Sequence, residues 1–273
     1  MHYLTIGAIF REENSWLKEW IEYHHALGVE HFILYNDDLD TRVSDKILKP
    51  YVDRELVKNI HREDSEPLRS DLEVRQKIVY RDMIKNMVGS THWLAIIDID
   101  EFILPHHQDD IRETLEGYEE HSGLAVSWAI YGSSGHITRP PSQINHFLHR
   151  SETDWRPNQW VKSIVKPDRV LLNEPHHIHY FPTKDGNTVN EKHEPVTGGR
   201  HPVSTEKIRI NHYVIRSWQD FWEVKARRPR LGNHPPCDER YFDYHDRNEV
   251  FDDEISRRFG HIVPNYSEMK QPT

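Results

Sequence analysis

The chain predicts an α/β fold in which a mixed, mostly parallel central sheet is flanked by helices, and three observations predict it. Leu94–Ile97 is an unbroken apolar run with no polar helical face, as in a strand buried on both sides. Tyr3–Ile9 and His31–Tyr35 read as strands joined by one helix, a βαβ opening whose crossover should be right-handed. The runs ending at Tyr35 and Ile97 both turn abruptly acidic, and open α/β sheets bind ligands beyond the carboxyl ends of their strands.

Composition bounds the rest. At 273 residues the chain is long enough for one large domain with a substantial core and room for a small C-terminal lobe. With 36% hydrophobic and 29% charged residues it is not a disordered chain. The net charge of -10 argues against a nucleic-acid protein held by phosphate contacts. A single cysteine, Cys237, excludes an internal disulfide framework and suits a reducing compartment. No apolar run approaches a membrane span and no signal peptide opens the chain, so a cytoplasmic location is expected.

The elements follow in order. The first helix should be capped by Asn14 or Ser15, carry Trp16, Leu17, Trp20, Ile21, His24 and Leu27 on one face, and stop at Gly28. Leu48–Val57 reads as a connecting segment with a short strand around Glu55–Lys58. A helix over about Ser70–Val88, ending at Gly89, should turn Val74, Ile78 and Ile84 to the core. Its Arg75, Gln76 and Arg81 lie within reach of the sheet's edge, although exposed helix cations are usually solvated. After the central strand come Phe102-Ile103-Leu104-Pro105, a polar helix over about Asp110–Glu120 and a strand at Leu124–Ile130. Thr138–Asn158 is proline-rich and polar, as in a variable surface excursion. Val161–Lys166 alternates with period two, as a half-exposed strand with Lys162, Ile164 and Lys166 on one face. Pro175-His176-His177-Ile178-His179 matches no zinc spacing. Thr183–Thr205, rich in Gly, Pro, Lys and Glu, reads as a mobile loop or lid. Lys207–Ile215 reads as a strand, and Ser217 as the cap of a helix with Phe221, Trp222 and Val224 as apolar contacts. Lys225, Arg227, Arg228 and Arg230 complement that helix's dipole without needing a ligand. The tail after Pro235 carries no motif.

The sharpest chemistry is at Asp98 and Asp100. On an extended chain, residues two apart point to one face, with Ile99 opposite. A pair of hard oxygen ligands there suits Mg2+ or Mn2+ bridging to a diphosphate; solvated carboxylates at a strand end are the plain alternative. Asp37 and Asp38 read either as a solvated turn or as acceptors for a nucleotide's ribose or base. Tyr131-Gly132-Ser133-Ser134-Gly135-His136 is either a tight turn or a loop whose backbone approaches a ligand closely.

Taken in sequence order, these pieces resemble glycosyltransferase family 92, close to family-two-like bacterial glycosyltransferases. The resemblance runs from about Ile6 to Arg228. It rests on Arg11-Glu12-Glu13-Asn14 with Leu17–His24, on Gly28-Val29-Glu30-His31-Phe32, on Trp93–Phe102, on Tyr131–His136, on Val161–Val165 and on Ile210-Asn211-His212-Tyr213, with Ser217, Phe221 and Lys225 at matching spacing. It implies a GT-A, Rossmann-like domain over 1–235, with a nucleotide-binding half of about 1–105 and an acceptor-side half of about 106–235. Residues 236–273 would be a tail that packs on it or stays mobile.

The resemblance also implies a metal-dependent, inverting transfer of a sugar from a nucleoside-diphosphate donor, UDP-linked, to a glycan or lipid-linked acceptor. Asp98, Asp100 and His212 would hold Mn2+ or Mg2+, with Asp100 the direct ligand. The donor-binding set would be Arg11, Asp37, Asp38, Gln76, Gly132, Ser133, Ser134, His136, Lys162 and Lys225. Lys162, Lys166 or Lys225 would stabilise the leaving diphosphate. The base that takes the acceptor's proton is sought among Glu152, Asp154 and Glu191. Two departures stand out: animal members carry a membrane anchor and stem that this sequence does not show, and a usual glycine after the Lys225 helix is replaced by Arg228-Pro229. The first points to a bacterial-type cytoplasmic enzyme of cell-surface polysaccharide synthesis, with peripheral membrane association left open. The rival readings are a metal-dependent phosphohydrolase or nucleotidyltransferase, and a non-catalytic sugar- or nucleotide-binding protein.

Overall fold

The computed structural model describes residues 1–61, 72–172, 177–228 and 237–263, with the backbone alone for 72–74. One sheet organises them, in the strand order β3-β2-β1-β4-β8-β6-β10-β5, with β9 beside β6. The parallel strands β1 (His2–Phe10), β2 (His31–Asn36), β3 (Val57–His61) and β4 (Thr91–Ile96) form one side. β8 (Val161–Val165) runs antiparallel between β4 and β6 (Gly123–Ile130). β6 pairs in parallel with β9 (Thr188–Val189) and β10 (Ile208–His212), and β5 (Glu101–Pro105) closes the order antiparallel to β10. The fold is therefore the mixed, mostly parallel α/β sheet that the sequence predicts.

β4 is buried on both faces, as its continuous apolar run requires. Trp93 and Ala95, with Ile97 beyond the strand's end, pack into the core shared with Trp20 and Ile21 of α1 (Leu17–Ala26). Leu94 and Ile96 pack instead with Tyr80, Met83 and Ile84 of α3 (Leu72–Met87). α1 also pins β5: Trp20 Nε1 donates to the Glu101 carbonyl at 2.8 Å, and Tyr23 Oη to the Ile103 carbonyl at 2.6 Å. His24 completes the join, with Nδ1 2.8 Å from the Trp20 carbonyl and Nε2 accepting from the Ile103 amide at 3.2 Å. That pattern fixes one neutral tautomer, and complete burial pushes its pKa down to about 3. α1 ends where expected, at Gly28, whose φ of +101° lies in the left-handed region that glycine enters without strain.

Several local expectations are corrected. Neither Asn14 nor Ser15 caps α1; Trp16 occupies the cap position without a side-chain bond, and the Glu13 carbonyl receives the Trp16 and Leu17 amides. Leu48–Val52 is not a connection but the end of a helix, α2 (Arg42–Val52), which carries Pro50 in its last turn. Ile78 of α3 is exposed, while Ile84 faces the core as predicted; Ser70 and the Val74 side chain lie outside the described residues. The polar helix is the short α4 (Ile111–Glu116), capped by Asp110 accepting from the Arg112 amide.

Two segments expected to be loose, and one strand expected to be half-exposed, are packed. Within Thr138–Asn158, Ile144 and Phe147 are fully buried, and buried Glu19 of α1 accepts from Ser142 Oγ and the Gln143 and Ile144 amides. β8 is buried along its whole length because it sits inside the sheet, so Lys162 is buried rather than half-exposed. Thr183–Thr205 contains β9 and is held by buried Glu191, which accepts from Ser204 Oγ and the Glu206, Lys207 and Ile208 amides. The tail packs as well: α6 (Glu239–His245), β11 (Val250–Phe251) and α7 (Glu254–Phe259) follow Cys237. β11 pairs with β7 (His149–Arg150), and Asp252 bonds both Arg150 and Arg209.

Candidate active site

The chain leaves β4 through Ile97 and then turns, rather than continuing extended, across Ile99 and Asp100 into β5. Asp98 and Asp100 are thus presented by a turn, not by strand alternation, and they meet different partners. Asp98 accepts from Lys162 Nζ at 2.7 Å and from Tyr80 Oη at 3.2 Å. Asp100 lies 3.6 Å from His212 Nε2 at the end of β10 and 3.6 Å from Lys225 Nζ. Lys225 is delivered by α5 (Trp218–Asp220), which Ser217 caps as predicted and which runs on into a π-helical turn over Phe221–Lys225.

Both aspartates line a cavity of about 240 Å3. It sits at the carboxyl ends of β1, β2, β4 and β10, and its wall includes Arg11, Glu13, Asp37, Arg75, Gln76, Trp128, His179, His212, Lys225 and Arg228. Charge is paired around the wall. Arg75 Nη1 donates to Asp37 at 2.6 Å, both residues being buried, and Glu13 is held by Arg216 at 2.6 Å and Arg228 at 2.5 Å.

The electrostatics follow from burial and these pairings. Burial works to raise the Asp100 carboxyl, but the facing His212 and Lys225 overcome it and hold it well below the usual range. Burial pushes His212 below the ordinary imidazole value against the pull of Asp100. Burial opposes the charge on Lys162, and Asp98 and Glu101 outweigh it, so Lys162 is raised well above its normal value and stays cationic. Glu101, 3.3 Å from the same ammonium, is pushed up by burial, opposed by Lys162 and reinforced by Asp98 and Asp100.

Of the predicted residues, Arg11, Asp37, Gln76, Asp98, Asp100, His212 and Lys225 come together around the cavity. Asp38 stands beside it, accepting from the Glu12 amide, and Lys162 lies beneath Asp98. The Gly132–His136 loop does not line the cavity. Its Ser133 and Ser134 amides are taken by Asp246 and Asn248 of the C-terminal segment, and a Cβ on Gly132 would meet the Arg247 carbonyl at 2.5 Å. The close approach inferred from its glycines is to the protein's own tail. His136 bonds the His146 carbonyl. Glu152 and Asp154 are exposed and outside the cavity, Glu191 is a buried structural carboxylate, and Lys166 reaches Glu119 instead. Arg230 and His176 fall outside the described residues.

Arg75 and Arg228, which the sequence offers only as solvated or dipole-complementing cations, also line the cavity, as do Glu13, Trp128 and His179. None of them carries a local sequence signal of its place at the cavity, because adjacent helix residues such as Arg75 and Gln76 point about 100° apart. Among the described residues no three His, Cys, Asp or Glu side chains form a ready-made metal site. Asp100 and His212 still supply a carboxylate and an imidazole on one wall, and His212 Nδ1 is buried without a partner. One or two carboxylates completed by phosphate oxygens is the usual way a protein holds Mg2+ on a nucleotide, and Asp100 meets that pattern, with the His212 imidazole as a further donor.

Fold and site together define an α/β protein with a charged ligand cavity at the carboxyl edge of its sheet. The model described as Glycosyltransferase family 92 matches residues 3–245, and the chain belongs to that family. A glycosyltransferase family 92 protein of Ricinus communis is 25% identical over 238 residues, covering 83% of this chain and 38% of the relative. One of Arabidopsis thaliana is 23% identical over 237 residues, covering 81% and 36%. The chain thus spans little more than a third of the curated relatives it matches. The solved structure of HddC from Yersinia pseudotuberculosis overlaps 82% of this chain and 98% of its own at 15% identity and a TM-score of 0.41, a likeness too loose to bear on function. No helix among the described residues is long and apolar enough to cross a membrane.

Proposed function

We propose that the chain is a metal-dependent, inverting glycosyltransferase that moves a sugar from a nucleoside-diphosphate donor, UDP-linked, to a glycan or lipid-linked acceptor of cell-surface polysaccharide synthesis. The observation that carries this is the meeting of Asp100, His212 and Lys225 in a cavity at the carboxyl ends of the parallel strands, beside the buried Asp37–Arg75 pair. Asp37 and Gln76 present polar groups where the nucleoside would sit, and Arg11, Lys225 and Arg228 present cations to the diphosphate. Asp100 and His212 would hold Mn2+ or Mg2+. The ion, when bound, neutralises charge building on the leaving diphosphate. Asp98, already paired with Lys162 and Tyr80, orients the turn that presents Asp100.

A two-metal phosphohydrolase asks for more clustered ligands than the described residues offer, so that reading has no observation in its favour. The test is calorimetric titration of uridine and guanosine diphosphates with and without Mn2+, on wild type and Asp100→Ala. Metal-dependent binding of one nucleotide, lost in the variant, supports the proposal and names the base. A folded wild-type protein that binds neither nucleotide with Mn2+ present sinks it.

A further inference from the structure

An inverting transfer needs a base for the acceptor's hydroxyl, and the three carboxylates expected to supply it are elsewhere. The carboxylates that do line the cavity all face cationic or imidazole partners: Glu13 by Arg216 and Arg228, Asp37 by Arg75, Asp98 by Lys162, and Asp100 by His212 and Lys225. Each of these carboxylates therefore has at least one oxygen already engaged by another side chain.

We propose that His179 is the catalytic base, an assignment that rests on the transferase reading above. His179 lines the same cavity as Asp100 and His212. Its Nδ1 lies 3.1 Å from the Val161 carbonyl, which has no proton to give, so Nδ1 carries the hydrogen and donates it. That leaves the lone pair on Nε2, and no described residue hydrogen-bonds Nε2. The ring is clamped by Trp128 at 5.0 Å, by Trp160 at 4.9 Å and by His177 at 5.1 Å between centroids. The His179 carbonyl is tied to Ser163 Oγ at 3.0 Å, so backbone and ring are both fixed on β8. Burial, with the charge of Lys162 and neighbouring His177, holds the imidazole well below its ordinary pKa and therefore neutral at neutral pH.

The step balances without another reactant. The acceptor oxygen bonds the anomeric carbon of the sugar as the bond from that carbon to the diphosphate oxygen breaks. The bonding pair leaves on the diphosphate, and the hydroxyl proton passes to Nε2 of His179.

The experiment uses the full chain with Mn2+ and the variants His179→Gln and His179→Ala. Nucleotide binding is measured by calorimetry with uridine and guanosine diphosphates. Turnover is measured as nucleoside-diphosphate release from UDP-glucose, UDP-galactose, UDP-N-acetylglucosamine and GDP-mannose, with water or an added oligosaccharide as acceptor. The expected result is nucleotide affinity within threefold of wild type, turnover at saturating donor lowered roughly 10²–10⁴-fold, and partial recovery of His179→Ala by free imidazole. Turnover of His179→Gln within threefold of wild type overturns the assignment while leaving the donor reading intact. So does a parallel loss of affinity and turnover that imidazole does not restore, which is the mark of a packing role. A wild type that binds neither nucleotide overturns the donor reading, and the base with it.

Discussion

The parallel side of the sheet and the region beyond Tyr131 are held together by different means. From β1 to β4 the strands and α1 are specified by local apolar periodicity, and their side chains pack into two cores on either face. Beyond Tyr131 much of the chain has no regular period, yet it is equally fixed, because a few buried carboxylates gather backbone amides from distant segments. Glu19 holds residues 142–144 and Glu191 holds 204–208, and half-buried Asp246 adds the Ser133 amide. Polar loop composition therefore does not mean looseness when one buried acceptor satisfies several amides at once. The cavity lies where the two regions meet: Asp100 comes from the first, His212 and Lys225 from the second.

The largest expected effect tests that junction. Asp100→Ala should cost metal-dependent nucleotide binding about a thousandfold, roughly 4 kcal/mol, because it removes the carboxylate that His212 and Lys225 face. His212→Ala should lower the same affinity in the same direction, and calorimetry reads both. Equal nucleotide affinity in wild type and Asp100→Ala would break the idea that the site is a joint product of the two regions.

Next in size is a stability effect on the second region from a residue in the first. Glu19→Ala leaves two buried amides and the Ser142 hydroxyl without their acceptor. The cost should be about 3 kcal/mol in urea unfolding, and residues 142–146 should lose hydrogen-exchange protection first. Were Thr138–Asn158 the loose excursion its composition suggests, the substitution would be nearly silent.

A smaller effect concerns acid. Burial works to raise Asp252, but Arg209 and Arg150 overcome it and hold its carboxyl down to about 2. The unfolded chain binds that proton near pH 3.9, so this part of the stability is complete above about pH 4 and is lost as pH falls toward 2. Discounted for partial exposure, it amounts to about 1–2 kcal/mol. Asp252→Asn should flatten the acid limb of the urea midpoint against pH by that amount. An unchanged limb would show that β11 and α7 do not depend on this ion pair.

How far the sequence speaks follows the same division. β1, α1, β2, β4 and β6 were legible from apolar runs and one glycine stop, and Asp98 and Asp100 from their place after a buried strand. β8 was misread as half-exposed because Lys162, Ser163 and Lys166 interrupt its apolar residues. Its burial depends on Asp98 and Glu101 neutralising Lys162, a pairing 64 residues apart for the first of them. Arg75 was passed over for a related reason: a helix cation carries no local mark of a buried carboxylate across the cavity. The Gly132 loop was misassigned because glycine reports only that something comes close. Here the neighbour is the tail around Arg247, not a ligand.

The smallest effect separates period from position within one helix. Ile78 and Ile84 of α3 are six residues apart, about 600° or an offset of some 120° around the helix, so a single narrow apolar stripe cannot hold both. The structure buries Ile84 completely against Leu94 and Ile96 and leaves Ile78 about half exposed. Ile78→Lys should therefore change stability by no more than about 0.5 kcal/mol, since an exposed helix site far from a cap accepts a straight-chain cation. Ile84→Lys should be measurably destabilising by the same urea titration, because it places an unpaired ammonium in the core between α3 and β4. If both were tolerated alike, α3 would not be what closes that face of the sheet, and the two-sided burial of β4 would lose its explanation.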